Sequence, residues 1–557
     1  IACITNNPAK YNPFTTKGRE NNKKRQMDVL RKMLELGFIT QEEYDTASKE
    51  ELKFFEGEKQ ETVKSSYQSY FVDQVVLDVK KDLMAQGMSE TMALNLIYNT
   101  GLKIYTTMNT EIQNAVDEVF LNDNYFPVTN PYGEHPQAAI VIIDPQNGHV
   151  KAMYGGYGEK KGNTLNRATQ IKRQPGSSLK PLAVYAPAIN EGLITAATII
   201  DDVPVYMNGI ENGRYPENYE RTFNGLIPVR DALRMSLNVV AAKIWRDILG
   251  PDLSLSYLKK VGIERTQRNV SLSLGGLDEG VSPLQMAAAY VPFANRGIYY
   301  QPITYLKVED ASGKVILEKK TQKPAIVYSE QAAYIMTSML QDVCTNGTAY
   351  PYGIITNSAG EQIWTAGKTG TTDDDRNKWF VGYSPYYVCA SWYGYDSNAI
   401  IPAGIERNQA LNLWHEVMQR VHASLEPVEY EMPAGIETAN VCIRSGKLTN
   451  SFCIHDPIKV AAGVPQEAIR YGEVFIKGTA PSSRCDVHIS AKVCTESTDL
   501  YGRPLLAGSH CPSLSIIERV FIHRKEPFTP IMPDDPYPLD FMYDYTPAEY
   551  CNVHGPH

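Results

Sequence analysis

The sequence predicts an α+β protein: an antiparallel sheet with helices packed on it, a small helical N-terminal part and a β-rich C-terminal region. Three observations predict it. From Ala138, "AAIVIIDPQNGHVKAMYGG" is an apolar run, an Asp-Pro-Gln-Asn-Gly turn and a second strand, a hairpin by its turn chemistry. Far downstream, "TAGKTGTT", "NKWFVGYS" and "YYVCASWYG" are short β-rich runs that read as neighbouring antiparallel strands, with Asp373, Asp374 and Asp375 in the turn between the first two. Helical patterns fill the space between, so strands open and close one domain and the helices pack on the sheet.

At 557 residues the chain is too long for one compact core. Composition shifts divide it at 1–57, 58–127, 128–425 and 426–557. In the first part Val29, Leu30, Met33, Leu34 and Leu36 give a helical stripe that Gly37 stops, and Thr40 with Glu43 starts the next helix with a capping box. In the second, a helix from about Tyr70 to Gln86 precedes the alternating strand "GLKIYTTMN" and another helix. The third carries the sheet and ends on a helix from about Asn408 to Ala423. In the fourth, strand-like pieces such as "EVFIKG" alternate with Pro, Gly and Cys loops. The final segment, rich in Pro, Tyr and Asp, is expected to be extended and to bury little. No internal repeat is expected.

The net charge of −9 argues against a general nucleic-acid binder, which needs clustered Lys and Arg. No apolar window of ~18 residues and no signal peptide is present, and the chain begins at Ile1, so it is expected to be a piece of a longer, anchored protein. Six of the nine cysteines lie between Cys442 and Cys551. That clustering favours disulfides or free thiols over metal. Cys485, His488 and Cys494 offer part of a zinc site, but no CxxC pair supports it, and no metal or cofactor is expected.

The chemistry-bearing stretch is "RQPGSSLKPLAVYAPAIN", Arg173 to Asn190. Pro175-Gly176 turns the chain into a helix, and residues three apart share a face, so Ser177 and Lys180 point the same way. Leu179, Leu182, Ala183 and Ala186 bury the other side, Pro181 is tolerated in a first turn, and Gly192 ends the element. A helix N-terminus favours an alkoxide and an oxyanion, and a lysine with a lowered pKa can take the serine proton. No histidine lies near these motifs and no GxSxG surrounds Ser177, against a Ser-His-Asp triad. Alone, such a Ser-x-x-Lys is more often a plain helix cap; only Ser177, not Ser178, has lysine three residues on.

Two further motifs change the balance. "RMSLNVVAAKI" holds Ser236 and Asn238 at the start of a helix with the stripe Leu237, Val240, Ala241, Ile244, Ile248, ended by Gly250-Pro251. "AGKTGTT" holds Lys368, Thr369, Gly370 and Thr371 on an apparent strand, where Gly370 lets a substrate backbone lie close. Each is weak by itself; the ordered set Ser-x-x-Lys, Ser-x-Asn, Lys-Thr-Gly is a strong signature of serine acyl-enzyme chemistry.

With these motifs the chain resembles class A, bifunctional penicillin-binding proteins over roughly residues 1–515. "NRATQIKRQPGSSLKP", "RYPENY", "LSLGGLDEGVSPLQMAAAYVPFANRG", "TNGTA" and "NKWFVGYSP" read like their transpeptidase domain, placed at 128–425. Residues 1–57 resemble the tail of their glycosyltransferase domain and 58–127 the linker; the catalytic glutamates of that glycosyltransferase belong to motifs upstream, so glycan polymerisation is not expected of this chain. The block from Glu426 resembles the Cys-containing extensions of some such proteins. The resemblance implies a D,D-transpeptidase on the extracytoplasmic face of a bacterial membrane, anchored N-terminally in the full-length protein and working with cell-wall synthesis partners. It implies peptidoglycan stem peptides ending in D-Ala-D-Ala as substrate and β-lactams as inhibitors. It implies Ser177 as nucleophile, Lys180 as base and Ser236 as proton relay. Asn238 would hold the donor amide, Lys368, Thr369 and Thr371 the terminal carboxylate, and the Ser177 and Thr371 N–H groups the oxyanion. A β-lactamase shares the three motifs but needs a carboxylate for deacylation, and no ExxN pattern lies between Asn238 and Lys368. A β-lactam sensor is the non-enzyme alternative; it needs a signalling segment that the sequence does not show.

Overall fold

The computed structural model describes residues 10–12, 15–50, 68–126, 130, 133–162, 164–319, 324–402, 408–458, 467–500, 502–541 and 546–555. The boundaries expected at 57/58 and 127/128 fall outside these residues. Two compact units are present, one up to Tyr67 and one from Gln68 onward.

In the first unit α1 (Thr16–Glu35) and α2 (Gln41–Lys49) form a helical hairpin. Gly37 takes φ +71° just after α1, and the Thr40–Glu43 capping box forms with both reciprocal bonds. The stripe on α1 is no buried face: Val29 and Leu36 are exposed and the buried positions are Gly18 and Asn22.

The second unit opens with α3 (Tyr70–Ala85), α4 (Glu90–Asn99), β1 (Lys103–Thr106) and α5 (Thr110–Phe120). The expected hairpin follows as β2 (Gln137–Ile143) and β3 (Val150–Tyr154). Next come α6 (Val229–Arg234), α7 (Asn238–Lys243) and α8 (Pro283–Ala294). Strands β4 (Tyr305–Glu309) and β5 (Val315–Glu318) join β1 in a small sheet of order β1-β4-β5, and α9 (Glu330–Asn346) leads back to the main sheet. That sheet is completed by β6 (Ala366–Thr371), β7 (Asn377–Tyr383) and β8 (Val388–Gly394), and α10 (Gln409–Val421) packs on it, with Trp414 edge-on to Phe380 at 4.8 Å. The order is β6-β7-β8-β2-β3, antiparallel throughout. Every residue of β8 is buried, so helices cover both faces of the sheet centre. Strand β6 lies at the sheet edge.

Beyond residue 425 the chain forms two small sheets. β9 (Ile436–Cys442) pairs with β10 (Ile469–Ile476); β11 (His488–Thr498) pairs with β12 (Pro504–Leu506) and β13 (Ile516–Ile522). Two expectations change here, and one open alternative narrows. The Pro/Tyr/Asp-rich tail does bury side chains: Asp535 and Asp540 are buried, Tyr206 donates to Asp535, the Leu226 N–H donates to Asp540 at 3.0 Å, and Leu539 N–H donates to Phe223 O at 2.8 Å. Its carboxylates replace an apolar face as the means of docking. The extension also repeats itself. Val441-Cys442 and Val493-Cys494 end or occupy a strand; Cys485-Asp-Val-His488 and Cys551-Asn-Val-His554 follow a further cysteine; and the N–H groups of Cys485 and Cys551 donate to Leu448 O and Leu506 O, each at 2.7 Å. Finally, of the disulfides or free thiols expected, the eight described cysteines are free thiols.

No described helix is long and apolar enough to cross a membrane.

Candidate active site

Ser177 lies in a 3₁₀ turn, Gly176–Leu179, continued by a wider π-type turn, Pro181–Tyr185, and a short α-helical end, Ala186–Asn190. Three residues per turn stack side chains i and i+3, so Ser177 and Lys180 share one face more closely than on an α-helix, and the Lys180 N–H donates to Ser177 O. Leu179, Leu182, Ala183 and Ala186 are buried, as their spacing requires. Ser178 is buried too, its Oγ donating to Pro175 O at 2.7 Å; it braces the turn and faces no cleft.

The turn is wedged between two backbones. Gly176 has φ +53°, and a Cβ there would lie 2.4 Å from Thr371 O; a Cβ on Gly275 would lie 2.0 Å from Gly176 O. A Cβ on Gly370 would lie 2.3 Å from Pro175 O and 3.0 Å from Ser178 Oγ. Beside the room for substrate expected of it, the missing side chain of Gly370 lets β6 close on the turn that carries Ser177.

Ser236 and Asn238 sit where α6 gives way to α7. Ser236 adopts φ +61°, a conformation L-residues rarely take, which costs about 1–2 kcal/mol and persists only where neighbours hold it. Here two lysines hold it. Lys180 Nζ donates to Ser236 O at 2.7 Å, to Leu237 O at 3.1 Å and to Asn238 Oδ1 at 2.7 Å. Lys368 Nζ donates to Ser236 Oγ at 2.8 Å and to Thr369 O at 3.2 Å. Both lysines are fully buried, while Ser177, Ser236, Asn238 and Thr371 are only partly so, giving a polar rim above a cationic floor.

Burial, and after it the positive Lys368, hold the Lys180 ammonium well below its ordinary pKa; burial alone brings Lys368 down to about 7. A neutral amine has only two N–H groups for the three acceptors around Lys180. The neutral amine therefore gives up one of these three bonds and gains a lone pair that can accept a proton.

The remaining predicted residues are partly engaged already. Asn238 Nδ2 donates to Glu217 O at 2.8 Å while its Oδ1 takes Lys180, so its side chain first of all orients that lysine. Thr369 Oγ1 lies 2.7 Å from Thr348 Oγ1 and 3.4 Å from Lys368 Nζ. Leu237, Val240, Ala241 and Ile244 are buried as expected, but Ile248 reaches the surface.

Two residues escaped the sequence reading. Asn218 Oδ1 accepts from Asn238 N at 2.9 Å and Val239 N at 3.3 Å, capping α7, and its Nδ2 donates to buried Asp202 at 2.8 Å. Asp202 accepts also from Asn224 N and Nδ2, both at 2.8 Å. Asn218 lies in "RYPENY", whose sequence marks a loop but not its target. The extension reaches the same wall: Arg230 of α6, almost wholly buried, donates to Glu473 of β10 at 2.6 and 2.9 Å and to Asp342 of α9 at 3.1 Å.

The chain is similar to several known proteins. Residues 138–393 match the penicillin-binding protein transpeptidase domain, and residues 432–490 match the C-terminal domain of penicillin-binding protein 1A. The chain is 36% identical over 551 residues to penicillin-binding protein 1A of Clostridium botulinum, covering 94% of this chain and 63% of that protein. In fold it resembles the crystal structure of penicillin-binding protein 1A from Haemophilus influenzae, with TM-score 0.62, 20% identity, and coverage of 86% of this chain and 85% of that one. It also resembles PonA1 from Mycobacterium tuberculosis in complex with penicillin V, with TM-score 0.55, 23% identity, and coverage of 66% and 96%. The chain thus spans less than two thirds of the length of the Clostridium relative.

Proposed function

We propose that this chain, which carries the transpeptidase domain of the penicillin-binding proteins, is the D,D-transpeptidase part of a class A enzyme that cross-links peptidoglycan stem peptides. The observation that carries the reading is Ser236 held between two buried lysines, its carbonyl on Lys180 and its hydroxyl on Lys368.

A stem peptide ending in D-Ala-D-Ala lies extended along the edge strand β6, a strand-addition mode that uses main-chain bonds for affinity. Its terminal carboxylate meets Lys368 and the hydroxyls of Thr369 and Thr371. Neutral Lys180 takes the Ser177 proton as Oγ bonds to the penultimate carbonyl carbon, and the N–H groups of Ser177 and Thr371 hold the oxyanion; one such donor is worth ~10²–10³ in rate. Ser236 Oγ passes a proton to the departing D-Ala nitrogen and regains one from the lysines. The ester is then attacked by an amine of a neighbouring stem peptide, which restores Ser177 and forms the cross-link. A β-lactam follows the first half and stops there. The full-length protein, on this reading, is also a glycan polymerase anchored at the extracytoplasmic membrane face.

Intact-mass spectrometry after penicillin exposure, followed by peptide mapping, tests it. One persistent adduct on the peptide holding Ser177 is expected. An adduct elsewhere, or hydrolysis of nitrocefin on the scale of seconds, would overturn the assignment, the latter in favour of a β-lactamase.

A further inference from the structure

The C-terminal extension contains two groups of ligating side chains outside the transpeptidase site. Cys442, Cys453, Cys485 and His488 form one; Cys494, Cys511, Cys551 and His554 form the other; within each, the donor atoms all lie within 4.8 Å of one another. The rival sequence reading, in which Cys485, His488 and Cys494 form part of one zinc site, is corrected: Cys494 belongs to the second group.

Both groups are built alike. His488 Nδ1 lies 3.4 Å from the sulfurs of Cys442 and of Cys485; His554 Nδ1 lies 3.5 Å from Cys494 Sγ and 3.3 Å from Cys551 Sγ. A tetrahedral zinc with Zn–S of about 2.3 Å and Zn–N of about 2.05 Å sets the N···S edge at about 3.6 Å, close to these values. In each group the other ring nitrogen faces a carboxylate: His488 Nε2 is 3.8 Å from Asp456, and His554 Nε2 is 3.4 Å from Glu496. That is the outer-shell partner a metal-bound imidazole ordinarily has. Main-chain N–H groups point at the sulfurs, from Arg444 to Cys442, Asn450 to Cys453, His488 to Cys485 and Val553 to Cys551, each at 3.4 Å; such donors stabilise thiolates.

Packing gives an independent reason. The buried apolar cluster at the first group is the three cysteines and Ala468, with Ile443, Ile469 and Val487 partly buried on it; at the second it is the three cysteines, with Ala507 and Ile516 partly buried on it. Apart from these clusters the two lobes bury only a few apolar side chains, such as Val441, Phe475, Val493, Leu505 and Ile522, and lobes with so small a core gain from another tie. Three thiols and one imidazole cannot pair off as disulfides without leaving a cysteine over, whereas they complete one tetrahedral site.

We propose that each group binds one zinc ion through three cysteine thiolates and a histidine Nδ1, so that the extension is a tandem of two Cys₃His zinc modules. The three thiols lose their protons to solvent on binding, and Arg444, which pairs with Asp456 at 2.9 Å, lies beside the first anionic centre. With no open position the sites are structural. The first module frames β9 and β10, which present Glu473 to Arg230; the second ties the tail, through Cys551, to β11.

Metal analysis of the purified full chain, after dialysis against a weak chelator, tests this. Two zinc ions per chain are expected, falling to one in Cys485→Ser and to one in Cys551→Ser. Should a variant fail to fold, cobalt exchanged into the parent protein still reports, through a thiolate-to-cobalt charge-transfer band of two equivalent sites. The proposal is overturned by a parent protein that holds no zinc or a different metal. It is overturned equally by cysteines that resist alkylation until reductant is added, or by zinc content that neither substitution changes. Metal content is read without any acylation, so its failure leaves the transpeptidase reading untouched.

Discussion

In residues 138–393 the candidate site residues stand on turns and an edge strand set against one large apolar core; in residues 432–555 the apolar clusters are small, and thiols and imidazoles group between the strands. The first region tolerates strain, such as Ser236 at φ +61°, because what surrounds it is rigid. The second meets the first through charges, Glu473 on Arg230 and Arg524 on Asp201, and through a small apolar seam of Val441 and Phe475 on Ala197. A large apolar core therefore positions the candidate site, and ion pairs with a small apolar seam attach the extension to it.

The largest expected effect lies wholly within the first region. Ser177→Ala removes the nucleophile and abolishes labelling by fluorescent penicillin. Retained labelling would move the reaction to another residue and detach the chemistry from the Ser177 turn.

Next comes the junction between the regions. Glu473→Ala leaves Arg230 with Asp342 and the Ser338 hydroxyl in a buried site, and breaking such a pair typically costs about 3–5 kcal/mol. Denaturant unfolding should show a loss near the lower end of that range. Because α6 leads directly into Ser236, acylation of the folded variant should slow as well. Unchanged acylation would mean that the extension does not steady the Ser236 turn.

A smaller effect is expected at Asn218→Ala, which loses the α7 cap: about 1–2 kcal/mol of stability, with acylation reduced because Asn238 and through it Lys180 lose their bearing. Normal rates would leave Asn218 a purely structural cap. Smallest is Ser178→Ala, which removes one bond to Pro175 O, about 1 kcal/mol by thermal unfolding, and leaves labelling intact.

The comparison also explains what could be read in advance. The three motifs and the sheet were legible because each is local: Ser177 and Lys180 share one turn, and the strand runs are short and bounded by turn residues. What needed coordinates were contacts across long sequence separations. Gly370 meets Pro175, and Asn218 meets Asn238, through packing that no spacing encodes. The cysteine groups escaped because their members are far apart in sequence, Cys442 from His488 and Cys494 from His554, and because a CxxC pair is absent. The signal present was the doubled Cys-x-Val-His. The tail was misjudged because its buried groups are aspartates, which composition counts as solvated.

The coupling of the two lysines is best tested by the pH dependence of penicillin acylation in the parent and in Lys368→Ala. Acylation needs Lys180 neutral, so the rate should rise with pH through the depressed pKa of Lys180, and fall again above about 7 as Lys368 loses the charge that holds the carboxylate. Removing Lys368 takes away a cation that depresses Lys180 and admits water. The variant should therefore be slower, its acid limb displaced to higher pH and its alkaline limb lost. An acid limb at the same pH in both proteins would contradict a Lys180 base poised by Lys368.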